Sequence, residues 1–178
     1  MSFRVVLRVR EAAGGEGVHY KHEGERYVGK NAQAAASDAH ARVTLKLAAG
    51  KRYVFSLALP SGLEIKDANE AGDKEVQILK DSDEEAEAVK VFSDEKNKAN
   101  QCVEWTNTMA PCANTQRQVL RLCLVTEQEL KMDLPILVKT YKETDTKGLR
   151  NGKPLMYANY KLKPNLKLAY DLVSVAVN

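Results

Sequence analysis

Apolar and polar residues alternate with a period of two over most of this chain, beginning at residue 3. Phe3, Val5, Leu7 and Val9 fall on one side of an extended backbone and Arg4, Arg8 and Arg10 on the other, with Val6 the exception. This pattern predicts a half-buried strand. A glycine-rich loop comes next, then a short strand at Tyr27-Val28 and a helical turn or small-residue connection over Ala32 to Ala41. Val43, Leu45 and Leu47 next alternate with Thr44 and Lys46. After Ala48-Ala49-Gly50-Lys51, the apolar positions return as Tyr53, Phe55, Leu57 and Leu59. Two matched runs around a short glycine-containing turn predict a hairpin.

Further along, short strands are expected at Leu63 and Ile65, at Glu75 to Lys80, and at Cys102 to Thr106, which carries the single tryptophan, Trp105. Ser82-Asp83-Glu84-Glu85 has the form of a capping box. The branched residues after Glu87 favour a strand instead. Val119 to Val125 and Leu130 to Leu134, joined by Thr126-Glu127-Gln128-Glu129, predict a second hairpin. Pro135 cannot donate a ladder bond, so its strand lies at an edge or bends there. Thr144 to Lys153 reads as a turn region ending in Asn151-Gly152, followed by alternation at Met156, Ala158, Tyr160 and Leu162. A last strand is expected from Leu166 to Val177. Its phase changes between Leu172 and Val173, which requires a bulge or a bend.

Eight to ten strands separated by turn signals, with at most two short helices, predict an all-β fold: an antiparallel β-sandwich or jelly-roll. It forms one domain over residues 1–178. The length of 178 residues suits a single core, and 44% hydrophobic with 29% charged residues is ordinary for a globular chain. No apolar run reaches the length of a membrane-spanning helix, so no membrane partner is expected. The arginines within the first apolar stretch argue against a signal peptide and for cytoplasmic synthesis.

Charge changes the picture through its distribution. The net charge is only +3, yet residues 61–96 hold 12 acids and 5 bases, leaving 22 bases and 12 acids elsewhere. The plain reading is a solvated acidic connection. The sharper one pairs this segment with a basic face of another copy, which makes Asp83, Glu84, Glu85 and Glu87 candidate assembly residues, together with Val173, Val175 and Val177 at the C-terminal end. Arg42, Lys46, Lys51 and Arg52 border the first predicted hairpin and are the candidate contacts for a single-stranded nucleic acid.

Catalytic signatures are missing. Ser56 and Ser61 lack the glycines of a nucleophile elbow, and Gly14-Gly15-Glu16-Gly17 opens no helix that would receive a phosphate. His19-x-x-His22 has helical ligand spacing in a loop or strand context. Asp67 to Asp73 fails as an EF-hand because Ala71 and Ile78 occupy ligand positions; an irregular calcium site from Asp67, Asp73, Asp81 and Asp83 is the alternative. No metal or cofactor is therefore assigned. Cys102, Cys112 and Cys123 are odd in number and contain no CxxC pair. Reduced thiols are expected, with Cys123 in the core and a Cys102–Cys112 staple only under oxidising conditions. Together these features suggest a non-enzymatic structural protein that self-associates as a homo-oligomer, a coat, decoration or tube subunit of capsid-like or virion character. A carbohydrate- or other ligand-binding module is the alternative. That choice rests on fold analogy.

Overall fold

The computed structural model describes residues 3–14, 17–22, 43–60, 62–67, 70–72, 74–80, 87–93, 100–113 and 116–162. Two sheets enclose one apolar layer. The first runs, in spatial order, β12 (Ala158–Leu162), β1 (Phe3–Glu11), β4 (Arg52–Ala58), β8 (Gln101–Thr106) and β7 (Lys90–Ser93). The second runs β11 (Lys153–Pro154), β2 (His19–His22), β3 (Val43–Ala48), β10 (Lys131–Tyr141), β9 (Gln118–Val125), β5 (Val76–Lys80) and β6 (Glu87–Ala88). Ten of these strands have four residues or more, and one short helix, α1 (Thr146–Arg150), joins β10 to β11. The all-β sandwich expected from the alternation is the fold observed.

Inward side chains obey the predicted parity. Val5, Leu7 and Val9 of β1, Leu45 and Leu47 of β3, Tyr53, Phe55 and Leu57 of β4, and Leu120, Leu122 and Leu124 of β9 are buried in one cluster. Trp105 joins it against Phe55, ring centroids 6.2 Å apart. Burying such side chains contributes about 1.5–3 kcal/mol each, the main favourable term for a chain of this size.

The first predicted hairpin does not form. β3 pairs with β2 and, in parallel, with β10, whereas β4 pairs with β1 and β8. The chain therefore crosses between sheets at Ala48 to Lys51, aided by the left-handed backbone of Gly50 (φ 79°). Alternation reports which face a residue takes but not which strand it pairs with, and here a buried polar joint decides. Asn107, fully buried, donates through its amide to the Ala48 carbonyl and to Thr140 Oγ1, both at 3.2 Å, and its Oδ1 accepts from the Met109 amide. Its backbone bonds Gly50 and Lys51. Tyr53 completes the corner, its hydroxyl accepting the Ala48 amide at 2.7 Å. Because the Asn107 amide has partners for both its donor and its acceptor, this network is costly to break.

The second hairpin forms as expected, with β9 and β10 antiparallel from Val125↔Lys131 to Gln118↔Val138. Pro135 sits opposite Arg121, and β3 joins β10 only from Leu137 onward, so the proline occupies the part of β10 that has a single partner among the described strands. At residue 89 the chain passes from β6 in the second sheet to β7 in the first. Leu63 lies outside any strand and Ile65 makes only a single bridge to Thr126. The turn expected over Thr144 to Lys153 contains α1, capped by Asp145, whose carboxylate accepts the Gly148 amide at 2.9 Å.

Several expected features lie outside the described residues: Arg42, Asp83, Glu84, Glu85, Val173, Val175 and Val177, the segments 27–28, 32–41 and 82–85, and the strand over 166–177. Glu87 is placed in β6, its backbone opposite Ile78.

Candidate functional site: a basic cleft over the parallel strand pair

The outward positions of β3 and β10 build a basic concavity. Lys46 and Lys139 stand side by side in the parallel register. Two like charges in that position repel. The Tyr141 ring relieves this, its centroid 5.3 Å from Lys46 Nζ and 4.9 Å from Lys139 Nζ, within reach of cation–π attraction. Lys46 also donates to the Gly148 carbonyl at 3.0 Å. Both lysines are consequently buried, at 5% and 8% exposure.

Gly148 is a packing requirement. A Cβ there would lie 2.8 Å from the Tyr141 ring and 2.6 Å from the Asp145 carboxylate, so only glycine lets α1 close over the ring. Lys21 from β2, Thr44 from β3, Arg117 before β9, and Asp145, Gly148 and Asn151 complete a cleft of about 330 Å³. Among the described lining residues, four basic side chains stand with one carboxylate. A smaller hollow of about 130 Å³ shares Lys46 and includes Glu11, His19, Lys51, Tyr53, Glu143 and Arg150.

The candidate nucleic-acid residues separate once the hairpin is replaced by a sheet crossing. Lys46 and Lys51 border the smaller hollow, with Lys51 ion-paired to Glu11 at 3.2 Å. Arg52 instead lies in the first sheet, 3.8 Å from Glu104. Cys123 is half-buried on the outer side of β9 rather than in the core; its thiol lies 3.6 Å from Asp133, and burial pushes its pKa up to about 11. The cysteines form no disulfide. Of the alternative calcium ligands only Asp67 is described, and it pairs with Lys74 at 2.8 Å; Asp73, Asp81 and Asp83 lie outside the described residues, among which no three acidic, histidine or cysteine side chains gather as a metal site.

Sequence reasoning missed Lys139, Tyr141 and Gly148. Lys139 and Tyr141 come after a proline-interrupted strand, and Gly148 sits in a region read only as a turn. The one available signal was a basic residue ending an otherwise apolar run, Ile136 to Val138 followed by Lys139.

A family model for CB1 cannabinoid receptor-interacting protein 1 matches residues 1–175. The chain belongs to that family. No curated protein matches it. Membership in the CB1 cannabinoid receptor-interacting protein 1 family overturns the expected self-associating coat, decoration or tube subunit, and with it the capsid-like and virion character. It points to an interaction or regulatory protein with a protein partner, and it gives no support to the expected homo-oligomer. The physical source of the error is that strand-rich cores and segregated charge serve assembly subunits and interaction modules equally.

Proposed function

We propose that this chain is a non-enzymatic interaction module that binds a membrane receptor of the kind its family is named for, and that the basic cleft over β3 and β10 receives an acidic segment of that receptor. The family's name supplies the receptor. The observation that carries the docking site is the convergence of Lys21, Lys46, Lys139 and Arg117 around Tyr141, with Asp145 the one carboxylate among the described lining residues. Partly desolvated cations strengthen charge-assisted hydrogen bonds to carboxylates and steer the encounter. A rigid wall of paired strands holds them in place before the partner arrives, which lowers the ordering cost of binding.

The test is titration of purified CB1 cannabinoid receptor, and of peptides covering its acidic segments, with the wild-type chain and with Lys21→Glu. Lys21 is exposed, so the variant keeps its fold. Reversing its charge is expected to weaken binding roughly tenfold and to flatten the salt dependence. Equal affinities for the two proteins would remove the cleft as the docking site.

A further inference from the structure

We propose that the β12–β1 margin of the first sheet is a docking face for the surface of an anionic lipid bilayer. The contact lies on a membrane and does not span one; no described helix is long and apolar enough to cross. This face is separate from the basic cleft, which opens on the second sheet.

Its first component is a row of arginines. Arg4, Arg8 and Arg10 project from β1 on the side opposite Val5, Leu7 and Val9, and all three are exposed. Residues 4 to 10 of a strand extend about 20 Å, so the row crosses several lipid headgroups. Among the described residues, none of the three forms an ion pair with a carboxylate. Arg52 extends the patch from the neighbouring strand with its side chain 64% exposed, although Glu104 lies 3.8 Å away.

Its second component is apolar. The exposed large hydrophobic residues of the described chain are Met156, at 79%, and Tyr157, at 54%, adjacent in the sequence just before β12. The register Leu7↔Ala158 carries this pair alongside the arginine row, and the Arg8 guanidinium stands 5.8 Å from the Tyr157 ring centroid. Arginines for phosphate groups, beside a tyrosine and a methionine able to enter the headgroup boundary, are the combination that interfacial binding requires.

A bilayer fits this face better than other polyanions. The arginine row lies along a strand, whereas the cleft suited to an acidic peptide opens beside Lys46 on the other sheet. A nucleic acid would stack bases on several aromatics; here Tyr157 already carries Arg8, and Met156 gains nothing from a polar backbone but gains from acyl chains. The sequence-level expectation of no membrane partner considered only spanning helices.

Co-sedimentation of the full chain with phosphatidylcholine vesicles, with and without phosphatidylserine, tests the proposal. Binding is expected only with phosphatidylserine and is expected to fall with salt. Joint replacement Arg4→Gln, Arg8→Gln and Arg10→Gln should lower partitioning roughly a hundredfold, whereas Lys at the same three positions should largely retain it. Met156→Ser with Tyr157→Ser should lower it roughly tenfold and reduce insertion into a lipid monolayer. Circular dichroism should be unchanged throughout. Three results would overturn the proposal: no binding to phosphatidylserine vesicles at low salt, undiminished binding of a folded Gln variant, or capture of polyuridylate or polyglutamate by a protein that ignores vesicles.

Discussion

β1 and β3 carry almost the same pattern, apolar residues alternating with polar and basic ones, yet their polar faces meet opposite fates. Arg4, Arg8 and Arg10 are exposed, whereas Thr44 and Lys46 are buried at 2% and 5%. The difference lies in the cover that distant segments of the chain provide. Residues 141–151 fold over β3, bring the Tyr141 ring to Lys46 and close with Gly148 against it. Against β1 the described chain places only the small contact of Tyr157 with Arg8. Alternation thus assigns a residue to a face, and tertiary coverage decides whether that face is solvent, a lined cleft or a docking surface.

The two strands should be alike on their inner side. Leu7→Ala and Leu45→Ala each remove a fully buried side chain from the shared layer and are each expected to cost about 2–5 kcal/mol by urea unfolding. A markedly smaller loss at one site would mean that the layer is not continuous between the sheets. On the outer side they should diverge. Lys46→Ala forfeits a charge-assisted bond to Gly148 and the cation–π contact, a loss of about 1.5–3 kcal/mol; Arg8→Ala should stay within about 0.5 kcal/mol. Equal effects would erase the contrast.

Gly148→Val sharpens the comparison by making β3 resemble β1. The new side chain would displace the Tyr141 ring, at an expected cost of about 1–3 kcal/mol. Lys46 and Lys139 should then react faster with amine-directed acetylating reagents, read by mass spectrometry, while the lysines remote from the cleft keep their rates.

The smallest effect concerns the corner that separates the two strands. Burial pushes the Tyr53 phenol up to about 12, above its ordinary value near 10. The folded chain therefore holds this proton at pH values where the unfolded chain has released it, so stability declines as pH rises from 10 towards 12. Tyr53→Phe should lower stability by about 1–2 kcal/mol at neutral pH, since the Ala48 amide loses its acceptor, and should make the alkaline decline shallower. Urea midpoints measured across that range check both parts.

The sequence alone determined the local conformation and sidedness of the main strands, because side-chain parity is set by strand geometry and an apolar set must leave water. Leu7, Leu45, Phe55 and Leu122 were legible in that way, and so was the turn from Thr126 to Glu129. The partners of those strands were not. Whether β3 folds back on β4 or crosses to the other sheet depends on Asn107, 59 residues beyond the Ala48 carbonyl that it binds, and on a parallel pairing with β10. The cleft belongs to the same category. Lys46 was visible as a basic residue on a strand, but its burial and its neighbours Lys139, Tyr141 and Gly148 arise from segments about 90 to 100 residues away. Only the closed structure, with its competing pairings and buried polar groups resolved at once, brings them together.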